Sequence, residues 1–314
     1  MRRAALLALA LVAASPAPLR AQDPPADTIT TEQLVELGFK YRRQGELDAA
    51  TAAFDQAIAR SKSAAEKKTI ALESYDVACV ASRFERAART ARGYDVAMQA
   101  RALALARRGD DALRVAREGH DAFAEGTVLA LLGRNDEALS ALARSGERGL
   151  AARAELLSKL GRFAEAAKDS EKEGNYFARA VALERAGDPG AAQAWEPARA
   201  DVKRRLETLI ARGSEVKARL QAAQGVIARE RARLVLAETE GDLSKEYEHY
   251  AIVHSKTGER AKAAKLTQLA LEFAQESRRL LTDSGADRYG EACAEALGLA
   301  ERERALRDRL RDLD

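Results

Sequence analysis

Apolar residues return every three to four positions from Leu34 onward, in short runs divided by polar punctuation. Leu34, Leu37 and Tyr41 fall on one face of a first helix. Beyond Gly45, Ala50, Phe54 and Ala57 share one face of a second. Gly45 frees the backbone for a tight turn between them. Gly38 and Ala50 are small enough to let the two helices cross closely. The punctuation recurs at Gly109, Gly133, Gly161 and Gly187, at intervals of 24, 28 and 26 residues. Asp or Asn follows within two residues of Gly109, Gly133 and Gly187, as helix N-caps do. The pattern therefore predicts successive hairpins of short helices.

The pattern lengthens between Trp195 and Gly241. Pro197 suits a first helical turn. Leu206, Leu209, Ile210, Val216, Leu220, Val226, Ile227, Leu234 and Leu236 are spaced for one or two long helices, with Gly213 and Gly225 as bends or turns. A further hairpin is expected around Thr257-Gly258-Glu259, with Tyr247, Ala251 and His254 before it and Ala263 and Ala270 after it. Ala286 to Leu313 reads as one last amphipathic helix striped by Leu299, Leu306, Leu310 and Leu313. A polar-faced terminal helix caps the open core of a helical stack; a partner-binding coiled coil is the alternative reading.

Leu34, Leu37, Gly38, Tyr41, Gly45, Ala50, Phe54 and Ala57 stand at the spacing of a tetratricopeptide repeat (TPR), a helix–turn–helix unit of about 34 residues. The segment from Thr31 to about Ala64 resembles one such unit. It departs from the pattern at Leu34, where Trp is usual, and at Lys62, where Pro usually closes the unit. The later hairpins have shorter periods and resemble it less closely. The resemblance implies an all-α fold, an α-solenoid of TPR-like helical hairpins with long C-terminal helices. It also implies a concave groove, lined by first helices, that holds a protein or peptide partner. Carried onto this chain, the groove positions are Val35, Phe39, Arg42 and Arg43, then Phe123 and Thr127, then Glu155 and Lys159, then Phe177 and Arg185. This mixture differs from the Lys/Asn groove that clamps a terminal carboxylate in some TPR co-chaperones, so that ligand is not expected.

Composition agrees with helices. Alanine supplies about a fifth of the 314 residues, and aromatic residues only 5%. Val, Ile and Thr, the strand formers, are sparse, which excludes a β-sandwich or barrel. The N-terminus adds a compartment. Met1-Arg2-Arg3, an apolar run from Ala4 to Ala14 and a small-residue exit to Ala21 have the order of a secretory signal peptide. The run is shorter than the ~20 apolar residues that span a bilayer. The expected organisation is a signal peptide at 1–21, a linker at 22–30, TPR-like repeats at 31–196, and long helices with a further hairpin and a capping helix at 197–314. The expected location is the periplasm or the cell exterior, with no stable membrane insertion after cleavage. The signal carries Arg2, Arg3 and Arg20, so removing it leaves 49 basic against 49 acidic residues. Global charge then offers no case for nucleic acid.

No constellation of catalytic residues stands out. His249 and His254 are five apart, on different helix faces, unlike a metal-binding i, i+4 pair. His120 reads as an ordinary helix residue. No glycine cluster has phosphate-loop spacing, and no nucleophile elbow is present. No metal, cofactor or enzymatic activity is expected. Cys79 and Cys293 read as small buried residues, because the ends of an elongated repeat protein lie far apart. The basic stretch Lys203-Arg204-Arg205, with Arg212, Lys217 and Arg219, is interleaved with acids and reads as a solvated helix face. The expected function is an exported, non-catalytic scaffold binding a protein or peptide in the cell envelope. The alternative is an accessory enzyme or binder acting on an envelope polymer.

Overall fold

The computed structural model describes residues 29–282, 288–296 and 298–313. The expected signal peptide and most of the linker lie outside the described residues. Sixteen helices and no strand occur among those described. They are α1 (Thr31–Arg43), α2 (Leu47–Arg60), α3 (Ala64–Val80), α4 (Phe84–Ala91), α5 (Val96–Leu105), α6 (Gly109–Glu118), α7 (Ala122–Leu131) and α8 (Asn135–Arg144). There follow α9 (Glu147–Lys159), α10 (Phe163–Glu173), α11 (Tyr176–Ala186), α12 (Ala191–Ala222), α13 (Val226–Lys256), α14 (Arg260–Thr282), α15 (Arg288–Ala296) and α16 (Leu299–Leu313). The described residues form an all-α array of helical hairpins, each helix packing on the next from α1 to α14. None of the described helices is long and apolar enough to cross a membrane.

The first helix of most hairpins starts at a side-chain cap. Thr30 and Gln33 form a capping box on α1, and Asp95, Asp121 and Asn175 accept backbone N–H bonds that open α5, α7 and α11. Second helices start differently. Arg108, Arg134 and Arg162, not the expected Asp or Asn, hold the cap position of α6, α8 and α10. Each of these guanidinium groups reaches the carboxylate three residues on, Asp111, Glu137 or Glu165, at 2.5–2.7 Å.

The turns correct the sequence register. Gly45, Gly133, Gly161, Gly187 and Gly258 adopt positive φ, as expected of turn glycines. The corresponding residue between α5 and α6 is Arg107, with φ 62°, not Gly109. Gly109 opens α6, where a Cβ would lie 2.8 Å from the Leu132 side chain. Ser82, with φ 56°, turns the α3–α4 hairpin, which the glycine pattern did not reveal. His120 also sits in a turn, at φ 51°, rather than in a helix.

Within a hairpin the close approach falls where sequence placed it. A Cβ on Gly38 would sit 2.5 Å from the Phe54 ring, and one on Gly126 2.7 Å from Leu142. Both pairs are sixteen residues apart, so α1–α2 and α7–α8 share one packing register. Ala50, Ala57, Ala138 and Ala141 are fully buried in the same cores.

The first half of α12 serves as the second helix of the α11 hairpin, burying Trp195, Ala198, Val202 and Leu206 against Phe177 and Ala180. It runs unbroken across 196–197, so the expected domain boundary falls inside a helix and Pro197 is its seventh residue, past the first turn. With 32 residues, α12 is about 48 Å long. Gly225, at φ 82°, turns the chain into α13; Gly213 stays helical. α14 packs along α13, and α16 packs on α14 through Leu306. The expected single last helix is two, because Gly298 takes a positive φ between α15 and α16. α13 and α15 both reach α1, and α15 also touches α3. The first and last parts of the chain therefore meet.

Candidate partner-binding groove

The predicted groove residues divide into three settings. In α1, Val35, Phe39 and Arg42 do not face open solvent: their exposures are 6%, 0% and 2%. α13 and α15 cover Phe39 and Arg42, and Val35 belongs to the same core. Arg42 Nη1 donates to Glu73 at 3.0 Å, and its other terminal nitrogen lies 3.8 Å from Glu230. Its guanidinium lies 4.4 Å from the Phe39 ring and 4.7 Å from the Tyr289 ring. Arg231 Nε donates to Glu73 at 2.9 Å, and the half-exposed Arg43 lies 3.7 Å from Glu230. Asp76 keeps an exposed edge. Withdrawal from bulk water, with Glu73 nearby and Arg42 opposing, still pushes its carboxyl up to about 6.

In the middle of the array the predicted residues do not converge. The Phe123 ring lies under the Arg148 guanidinium at 4.6 Å, and the Thr127 hydroxyl donates to the Phe123 carbonyl. Glu155 and Lys159 pair with each other on an exposed helix face.

At α11 they do converge. Phe177 and Arg185 line a cavity of about 390 Å³ with Val181, Ser158, Arg205 and His249. A second cavity of about 410 Å³ adjoins it, sharing Arg205, Glu246 and His249 and adding Leu209, Thr208 and Lys245. Together they form a groove between α11 and the α12–α13 pair. Its floor is aromatic. Phe177 stacks on His249 with centroids 4.2 Å apart and meets Trp195 edge-on at 5.9 Å. Its walls are held by charge. Arg205 donates to Asp201 at 2.7 Å and to Glu246 at 3.1 Å, and Arg204 donates to the same Asp201, which is 4% exposed. Burial raises the Glu246 carboxyl, but His249 and Arg205 outweigh it and hold the group below its ordinary value. Arg185 differs: among the described residues it has no ion-pair partner, and its guanidinium lies exposed, 5.8 Å from the Phe163 ring.

His249, Arg205, Glu246 and Leu209 were not among the residues expected from sequence. The Lys203-Arg204-Arg205 stretch was the available signal, and it is not wholly a solvated face: Arg205 is half-buried over Asp201. His254 points elsewhere, fully buried, with Nδ1 beside Arg199 and Glu259. Burial holds its pKa below the usual value. A cavity of about 510 Å³ between α8, α9 and α10 is larger, but seven charged residues line it and its principal pairs, Arg153–Asp169 and Arg162–Glu165, are mutually satisfied. Burial also pushes the Cys79 thiol up. Among the described residues no disulfide joins Cys79 to Cys293. The expected reason fails, however, since α15 lies against α3.

No protein-family model matches the sequence, and no curated protein is similar to it. Solved structures do align with it. A chain of the Naa15/Naa10 assembly bound to HypK-THB is 16% identical, with 91% of this chain covered and a TM-score of 0.31. This chain spans 56% of that chain's length. A tetratricopeptide repeat protein from Parabacteroides merdae is 14% identical over 85% of this chain and 96% of its own, with a TM-score of 0.28. The P58(IPK) TPR domain is 14% identical over 90% of this chain and 79% of its own, with a TM-score of 0.20.

Proposed function

We propose that this protein is a non-catalytic scaffold of the periplasm or cell envelope that holds a protein or peptide segment in the groove between α11 and α13. The observation that carries this reading is the convergence of Phe177, Val181 and Leu209 as an apolar floor with Arg185 at the rim, exposed and without an ion-pair partner among the described residues. Recognition grooves of this kind combine an apolar floor with a few placed polar groups. The fitting segment carries an apolar side chain for the floor and a carboxylate for Arg185. The non-catalytic reading is supported by the ion pairing of Arg205, Glu246 and Lys245, which commits these groups to structure. Export rests on the residue order of the first 21 positions.

The test is selection of peptides from a displayed random library on the purified chain, followed by binding of the selected peptide to variants. Arg185→Glu is expected to weaken a selected acidic peptide at least tenfold, and Val181→Arg to abolish its binding. Selected peptides that bind both variants as well as the wild type would place recognition elsewhere. Export is tested separately: protein purified from the envelope fraction is expected to begin at Gln22, and an intact Met1 on soluble cytoplasmic protein would overturn that part.

A further inference from the structure

We infer that the inner face of α1 and α3 is a second recognition site, for a helix bearing an aromatic residue, and that the chain's own α15 occupies it as a displaceable internal ligand. The site lies at the opposite end of the hairpin array from the α11 groove and does not depend on it. Its receptor side is preformed. Arg42 takes its charge partners from α3 and α13, Glu73 and Glu230, not from α15. Phe39 is locked edge-on against Phe54 at 5.4 Å. Loss of α15 therefore leaves no unpaired buried charge. It uncovers a flat guanidinium backed by an aromatic ring, a surface suited to stacking.

The occupant shows what the site takes. Tyr289 lies 4.7 Å over Arg42 and is 5% exposed. Cys293, four residues on and so on the same helix face, packs against the same hairpin core. The ligand class is a helical segment with an aromatic residue and, at i+4, a small apolar one.

α15 is also the weakest helix near this face. It has nine residues with Gly290 inside, and an isolated helix of that length is unstable in water. Its neighbour α16 has fifteen residues, buries Leu299 and Leu306, and is tied to α13 by Arg302 and Arg309 on Glu248. Stability is thus uneven along the C-terminal segment, and elements that exchange partners come from the weak end of such a distribution. α15 also packs on α14 and shares a small core with α16 through Ala294 and Leu299, so its release loosens that contact while the Arg302 and Arg309 ties of α16 to α13 remain.

The experiment uses the full chain and a fluorescent synthetic peptide of residues 286–298. Wild-type chain is expected to bind it weakly, because α15 competes at high effective concentration. A Tyr289→Arg chain, which sets a cation against Arg42, is expected to bind the peptide at least tenfold more tightly. A peptide carrying the Tyr289→Ala change is expected not to bind. Ala292→Pro, which removes an interior hydrogen bond of α15 without altering α1 or α3, is expected to reproduce the gain. Hydrogen exchange should show α15 deprotected in both variants while α1–α3 stay protected. Equal binding by wild type and variants, or deprotected α15 with no gain in binding, would overturn the proposal. So would an α15 that stays protected in both variants.

Discussion

Gly38 carries more structural weight than its size suggests. A single methyl there would overlap the Phe54 ring, and that ring also anchors Phe39. Gly38→Leu is expected to lower stability by ~1–3 kcal/mol, the usual cost of overpacking. Lys62→Ala, at an exposed position, should stay within ~0.5 kcal/mol. Urea denaturation of both variants checks this. Asp76 gives a second residue-scale expectation. Its folded pKa of about 6 lies above the ordinary 3.8, so its contribution to stability is complete below about pH 4 and is lost as pH rises through 6. Asp76→Asn should flatten the stability profile in that window and raise the melting midpoint at pH 7.5. Solvent at its exposed edge keeps the gain under ~1 kcal/mol. A profile that keeps its slope between pH 4 and 6 would show that another group titrates there. Gly38 could be recognised from spacing because a small residue between large ones has one common cause. The Asp76 shift could not, because Glu73, Glu238 and Arg42 meet it only after folding.

Among the elements, the turns separate what sequence shows from what it hides. Gly45, Gly133 and Gly161 announce themselves, since glycine enters the left-handed region freely. Ser82 and Arg107 enter the same region against a steric cost and leave no such mark. The α3–α4 hairpin therefore carries no glycine signal, and the spacing points to Gly109 in place of Arg107. Arg107→Gly should therefore stabilise the protein by up to ~1 kcal/mol, while Gly161→Ala should destabilise it by a similar amount. Thermal melts of the two variants should move in opposite directions; movement in the same direction would mean the turns are not equivalent. The long helices were visible as a stretch of helical spacing, but their partition at Gly225 was not. Gly213 offered an equal break, and only its seat opposite Leu243 and Thr239 distinguishes it.

For the whole molecule, the contact of α1 and α3 with α13 and α15 lay beyond sequence reading. Arg231 and Glu73 are 158 residues apart, and no periodicity relates them. The groove was half legible for the same reason: Phe177 and Arg185 follow from repeat register, whereas His249 arrives from α13, outside it, and Arg205 from a long helix whose pairing with α11 no turn glycine marks. Because the two ends meet through an ionic knot, small-angle scattering should report a larger radius of gyration for Glu73→Lys than for wild type. The paired change Glu73→Lys with Arg231→Glu should restore the smaller value. Equal radii for all three chains would show that the knot does not hold the ends together.

A repeat array with loose ends frays inward from its termini, because each terminal unit has a neighbour on one side only. Tying the termini together removes those starting points. The melting order then inverts. Among the hairpin helices α1 to α11, the least protected stretch should be α4 to α6, where helices of 8–10 residues are flanked by the strained turns at Ser82, Arg107 and His120. Opening would begin as a rupture in mid-chain, and the two flanking arms, still bound to each other, would swing apart last.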